Sequence, residues 1–329
     1  MDVLKLPRIH VRSGRRSFHQ RRENLCIMNH AIIDIGSNSM RLTLYEIAGT
    51  AFKVLLKTKY MAGLAGYVKE GSLLPEGIER AYSGLLEFKG ILDSLQIESY
   101  SVFATASLRN IANTDAAVAA IHDATGFYVE VLSADDEEYF GYVGAMRERN
   151  ITRGVEVDIG GASTEIVTFD DNRMQKGLSF PVGSLSLYRD YVPKIFPGRH
   201  SIHLIEQELT QQMEGNEELS VETRPLLVCV GGTSRAVLKF AKVLCPLSPD
   251  SHTLSSSQLL SICDYLSSGD KEAIDLILKL EPERIHTLIP GLMIMKHVCV
   301  LFHSTTLIIS SYGVREGYLC ERVIGRTTV

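Results

Sequence analysis

One short polar pattern occurs twice in this chain, and its residue types are suited to holding an anion. D-I-G-x-x-S reads Asp34-Ile35-Gly36-Ser37-Asn38-Ser39 in the first copy and Asp158-Ile159-Gly160-Gly161-Ala162-Ser163 in the second. Each copy follows an apolar run and leads into a second strand-like stretch, so each reads as a hairpin turn with its Asp at the end of a buried strand. Gly36, Gly160 and Gly161 accept positive φ, and small side chains let successive N–H groups converge on an anion. Ser and Asn add donors, and Asp at a strand end can hold Mg²⁺ directly or through water. The same residue types are ordinary in turns that merely close a hairpin. Repetition in two halves of the chain favours a phosphate or nucleotide site in a shared cleft.

Other stretches offer complementary chemistry. Ala104-Thr105-Ala106-Ser107-Leu108-Arg109 follows an apolar strand, and an Arg at that place suits bidentate phosphate contact or simple surface charge. Ser133-Ala134-Asp135-Asp136-Glu137-Glu138 reads as a helix cap with acids at the positive end of the dipole. A carboxylate at that place would also serve a hydrolase by deprotonating water, and the residues alone leave both readings open. The strand Leu226–Val230 runs into Gly231-Gly232-Thr233-Ser234 and a helix, the outline of a phosphate cradle or of tight strand-to-helix packing. Gly313-Val314-Arg315-Glu316-Gly317 repeats the theme after the strand Thr306–Ile309.

The elements that must position these residues alternate. A helix is expected from Pro75 to about Leu95, another from Thr114 to Thr125 with Gly126 at its C-cap, and a strand from Phe127 to Leu132. In the second half, helical stripes cover Ile202 to Met213, Ser257 to Leu266 and Lys271 to Leu280. Strands alternating with helices, with polar motifs at strand ends, predict an α/β fold with ligands at sheet edges.

Composition bounds the function. At 329 residues and 45% hydrophobic, the chain can build two cores, and a net charge of −5 argues against nucleic acid as a partner. Six cysteines without a C-x-x-C pair read as reduced core residues of a cytoplasmic protein. Residues 1–27 are basic and lack an apolar stretch, so they read as a disordered tail or a dispensable upstream start before Met28. The apolar segment from Leu288 to Phe302 is too short to span a membrane.

Taken in order from Ala31 to Leu319, these motifs resemble the exopolyphosphatase and guanosine pentaphosphate phosphatase family, in a short, two-domain form. The resemblance implies two ribonuclease-H-like domains, of the actin, sugar-kinase and heat-shock-chaperone type, flanking a central cleft. Residues 28–132 would form the N-terminal domain, with the last residues of the chain as candidates to rejoin it, and 133–329 the C-terminal one. It also implies Mg²⁺-dependent (or Mn²⁺-dependent) release of a terminal phosphate from inorganic polyphosphate or guanosine pentaphosphate, and a homodimer. Carried over by position, Glu137 would be the base, Arg109 would hold the scissile phosphate, and Asp158 and Asp34 would hold the metal. Phosphate binding would fall to Gly36, Ser37, Asn38 and Ser39 in the first turn and to Gly160, Gly161, Ala162, Ser163 and Thr164 in the second, with Gly232 and Thr233.

The sequence departs from the family at the acidic motif, where S-G-x-E-E-A becomes Ser133 to Glu138, and at Ala162, where Gly is usual. A one-residue slip would make Glu138 the base. Two other readings compete: an actin-like ATP-binding or sugar-kinase protein, and a non-catalytic binder of guanosine tetraphosphate or polyphosphate.

Overall fold

The computed structural model describes residues 27–147, 151–219 and 221–325; most of the basic tail, 1–26, lies outside them. The first half runs β1 (Ile27–Ile35), β2 (Met40–Ala48), β3 (Ala51–Tyr60), a small hairpin of β4 (Val68–Lys69) and β5 (Ser72–Leu73), and α1 (Pro75–Ser94). It continues with β6 (Tyr100–Ala104), α2 (Ala106–Arg109), α3 (Thr114–Thr125), β7 (Val129–Val131) and α4 (Ala134–Met146). The second half opens with β8 (Arg153–Ile159), β9 (Thr164–Asp170), β10 (Arg173–Phe180), α5 (Ser184–Tyr191) and α6 (Arg199–Leu209). Then come β11 (Leu226–Val230), α7 (Gly231–Leu244), β12 (Thr253–Ser255), α8 (Ser256–Leu266), α9 (Lys271–Leu280), α10 (Leu288–Leu301), β13 (Thr306–Ile309) and α11 (Val314–Tyr318).

The two halves repeat one topology. The first sheet is ordered β3-β2-β1-β6-β7 and the second β10-β9-β8-β11-β13-β12. In each, three strands form an antiparallel meander and two further strands then add in parallel beyond its first strand, the second sheet carrying β12 as an antiparallel edge. That is the expected α/β architecture, and it places both D-I-G-x-x-S turns at the same end of equivalent hairpins. Ile32 and Ile33 of β1 are both fully buried, as are Val155 and Val157 of β8, because helices cover the sheets. Each such side chain contributes about 2 kcal/mol.

Local details follow the chemistry of the sequence. Pro75 starts α1, and Gly126, at φ 77°, ends α3 in the left-handed region. The stretch from Leu288 proves to be the buried helix α10, with Pro290 in its first turn where no N–H is needed. No helix among the described residues is long and apolar enough to cross a membrane.

The helix α4 packs between the sheets with α11 and the helical segment Leu319–Ile324 that continues it. Phe140 of α4 and Tyr318, Leu319 and Val323 join Ile32, Tyr45 and Phe103 of the first sheet in one apolar cluster. The other side of α4, through Tyr142 and Ala145, packs on Val167, Phe169 and Val228 of the second sheet. This places the start of α4 beside both turns.

Candidate active site

Both turns face each other across one cavity of about 150 Å³. A Cβ on Gly161 would stand 3.5 Å from Cβ of Ser37 and 3.7 Å from the Asn38 amide nitrogen, so the turns are in contact distance. In the first turn the carbonyls of Ser37 and Asn38 accept from the amides of Ala65 and Gly63 (3.0 and 2.9 Å). In the second, Gly160 and Gly161 carbonyls accept from the amides of Ser184, Leu185 and Ser186 at 2.8–2.9 Å. Turn carbonyls are thus engaged outward. Among the described residues the amides of Ser37, Asn38, Gly161 and Ala162 make no such bond, which leaves donors for an anion.

The glycines act by proximity rather than by φ. Gly36, Gly160 and Gly161 are not among the positive-φ residues, contrary to the expectation from their type. A Cβ on Gly36 would lie 2.9 Å from the Ser39 carbonyl oxygen, and one on Gly160 2.9 Å from that of Ser163. Ala162 has negative φ as well, so replacing the usual Gly there strains nothing.

Asp34 and Asp158 line the cavity, and Glu137 joins them from the first turn of α4. Ser133 caps that helix by accepting the Asp136 amide at 3.0 Å. Glu138 turns the other way, against Gly177 of β10. Burial raises Glu137 to about 7, Arg109 opposing and Asp158 and Asp34 adding to the rise. Burial likewise raises Asp158 to about 6, with Arg235 opposing, and it raises Asp34 against the pull of Arg315 and Arg41. Carboxylates held up by burial and by one another gain most from a nearby cation.

Two residues expected at the phosphate stand outside the lining of this cavity. Arg109 does not line the cavity: its Nη1 lies 2.6 Å from Glu137 Oε2 and 3.2 Å from the Leu132 carbonyl oxygen, which holds the Glu137 side chain in place. Thr164 is fully buried, and its hydroxyl donates to the Val182 carbonyl at 2.6 Å because the residue already belongs to β9. Gly232 and Thr233 do line the cavity. Gly232 makes room for the Arg284 guanidinium, which a Cβ there would strike, and Gly231 (φ 92°) does the same for Asp158.

The structure adds Arg41, Arg235, Arg284 and Glu165, none of which was expected, and places Arg315 beside Asp34 at 3.3 Å. Arg41 and Glu165 had a signal: each stands seven residues after its turn's Asp, and the hairpin register sets it across from that Asp. Arg284 comes from the turn Pro282–Arg284, where no periodicity marks it.

One buried carboxyl lies outside the lining of the cavity. Both oxygens of Glu156 are buried without a hydrogen-bond partner. Replacing Glu156 by Met is therefore expected to raise unfolding free energy by about 1–3 kcal/mol, read as a higher denaturation midpoint at unchanged m-value. A lower midpoint would mean that the carboxyl has a partner.

Two apposed polar turns, a set of arginines and a buried carboxylate at the junction of two such sheets suit the chemistry of a phosphohydrolase. The model of the Ppx/GppA phosphatase family matches residues 43–324, and the chain belongs to that family. Exopolyphosphatase 1 of Mycobacterium leprae is 22% identical over 307 residues, covering 90% of each chain. Guanosine-5'-triphosphate,3'-diphosphate pyrophosphatase of Vibrio parahaemolyticus is 25% identical over 309 residues, 89% of this chain and 59% of that longer one. The crystal structure of the Aquifex aeolicus family member superposes with a TM-score of 0.74 at 25% identity, over 91% of this chain and 99% of that one. The chain is accordingly a hydrolase of phosphoanhydride bonds.

Proposed function

We propose that this enzyme releases the terminal phosphate of inorganic polyphosphate, with guanosine pentaphosphate as the alternative substrate. The observation that carries the proposal is the contact-distance apposition of the two turns, with Glu137 and the arginines around the same cavity. Amides of both turns bind the non-bridging oxygens of the terminal phosphate. Arg41, Arg235, Arg284 and Arg315 neutralise the chain as charge moves to the leaving oxygen. Glu137 accepts a proton from water, the water oxygen bonds to phosphorus, and the P–O bond to the shortened chain breaks. Arg109, bonded to Glu137 through Nη1, holds that carboxylate in place at the edge of the cavity.

Asp158 and Asp34 are the residues that would hold Mg²⁺ or Mn²⁺. No group of three or more His, Cys, Asp or Glu suited to a metal exists among the described residues. Two carboxylates nonetheless fit Mg²⁺, which keeps waters and takes substrate phosphate oxygens. When bound, the ion would supply charge neutralisation of the reacting phosphate.

The departures in the acidic motif leave the proposed base in place, since Glu137 reaches the cavity and Ser133 still caps the helix. That favours an enzyme over a non-catalytic binder. The test is phosphate release from polyphosphate and guanosine pentaphosphate with Mg²⁺ and after chelation. Release from polyphosphate that stops on chelation and returns with metal is expected; binding of either compound without release would overturn the proposal.

A further inference from the structure

The cleft does not end at the catalytic cavity. It opens into a second, of about 460 Å³, and Arg41, Arg235, Arg284 and Arg315 line both. The outer part is walled by Lys57 and Lys59 of β3 on one side and Lys239 of α7 on the other. Among the described residues, seven cationic side chains thus stand against two carboxylates, Glu281 and Glu283, and no aromatic side chain lines this bay. A base would need a ring to stack on. A flexible chain of phosphates needs only positive charge and hydroxyl donors, and Thr43 and Thr58 add the latter.

Apart from Arg315, which pairs with Asp34 at 3.3 Å, the cations fall into two sets. Arg41, Arg235 and Lys57 make no ion pair among the described residues. Burial and the neighbouring guanidinium groups lower Arg41 to about 10 and hold Arg235 and Lys57 below their usual range. The second set is already claimed. Lys59 pairs with Glu283 across the cleft, Lys239 pairs with Glu281, and Glu281 reaches Arg284 at 3.4 Å. Both carboxylates come from residues 281–283, one stretch fixed by the bond from the Arg284 amide to the Glu281 carbonyl (2.9 Å). Lys59 and Glu283 are about half exposed (47% and 56%), so their pairing yields readily to a competing anion.

We propose that this bay receives the distal phosphates of a polyphosphate chain, and that Glu281 and Glu283 are built-in counter-anions which only a chain long enough to reach them displaces. The stretch 281–283 thereby sets which chain lengths bind tightly, a specificity role that rests on the polyphosphate reading above. A short chain confined to the catalytic cavity leaves both pairs intact. A longer one exchanges two carboxylates for phosphates and gains the free charge of Lys57.

The test is calorimetric binding of tripolyphosphate and of long-chain polyphosphate to the hydrolysis-blocked Glu137→Gln protein, with wild-type phosphate release measured in parallel. Lys57→Gln combined with Lys59→Gln is expected to weaken long-chain binding by about tenfold and to change tripolyphosphate binding far less. Glu283→Gln, alone and with Glu281→Gln, is expected to tighten long-chain binding about threefold or more and to steepen its salt dependence. Equal effects on both chain lengths, or no gain from the carboxylate replacements, overturn the proposal. So does an equal gain for guanosine pentaphosphate, which would make the bay a nucleotide site. Wild type that releases no phosphate while the length-dependent affinities shift as stated would sink the hydrolase reading and leave the bay standing.

Discussion

Replacing Glu137 by Gln is expected to lower kcat by about 10²–10⁴-fold, with polyphosphate binding retained. Gln keeps the shape and can still accept from Arg109 through its amide oxygen, so the start of α4 stays in place. What it loses is the ability to take a proton from water. The pH dependence adds a readout that a merely structural role would not move. Burial holds the Glu137 carboxyl at about 7, so the carboxylate form grows as pH rises through that value, and wild-type kcat/KM should rise with it. The residual activity of Glu137→Gln should lack that limb. Stability runs the opposite way: a carboxyl whose folded value lies above its unfolded one contributes stability below about 4.5 that is lost as pH rises through about 7. Glu137→Gln should therefore be no less stable than wild type above neutral pH. Glu138→Gln, facing Gly177 instead of the cavity, should keep a near wild-type rate. A Glu137→Gln protein with wild-type kcat, or a loss found only in Glu138→Gln, would remove Glu137 as the base.

The repeated turn was legible because its two copies share residue types and both follow apolar runs, and the α/β alternation followed from helix caps and strand ends. The most informative position of the repeat lies beyond Ser39 and Ser163. Seven residues after each Asp, Arg41 and Glu165 occupy equivalent sites with opposite charge, and hairpin register alone sets both across from an Asp. The pairing of Arg109 with Glu137 was not legible, because a cation beyond a strand end says nothing about what it faces. Arg284 lies some 250 residues from Asp34 in an irregular turn. Only tertiary packing brings it to the cavity, through the space that Gly232 leaves open. The glycines of α4 and α11 were the least legible, since in a helix Gly reads as a weak point until a partner backbone is known.

Gly317→Ala should damage both stability and catalysis. The helices α4 and α11 cross with their backbones in contact: a Cβ at Gly317 would collide with the Phe140 carbonyl oxygen, and one at Gly144 with that of Gly313. A flexible side chain could move aside, but these obstacles are main chain, so the helices must separate. Overpacking of this kind costs about 1–3 kcal/mol and more where backbone must shift, out of a total of about 5–15 kcal/mol for a typical domain. Separation also moves chemistry. α4 carries Glu137, and α11 carries Arg315, 3.3 Å from Asp34, and Glu316, which accepts the Tyr45 hydroxyl at 2.7 Å. Misplacing such groups by about 1 Å can reduce rate by about 10²-fold, so kcat should fall by that order in protein that remains folded. Gly90→Ala supplies the contrast, because Gly90 is exposed on α1 with nothing near its Cβ position. There the change should stabilise by up to about 1 kcal/mol through helix propensity. A Gly317→Ala protein as stable and active as wild type would mean that the two helices do not cross this closely in solution, and the placement of Glu137 beside both turns would fall with that crossing.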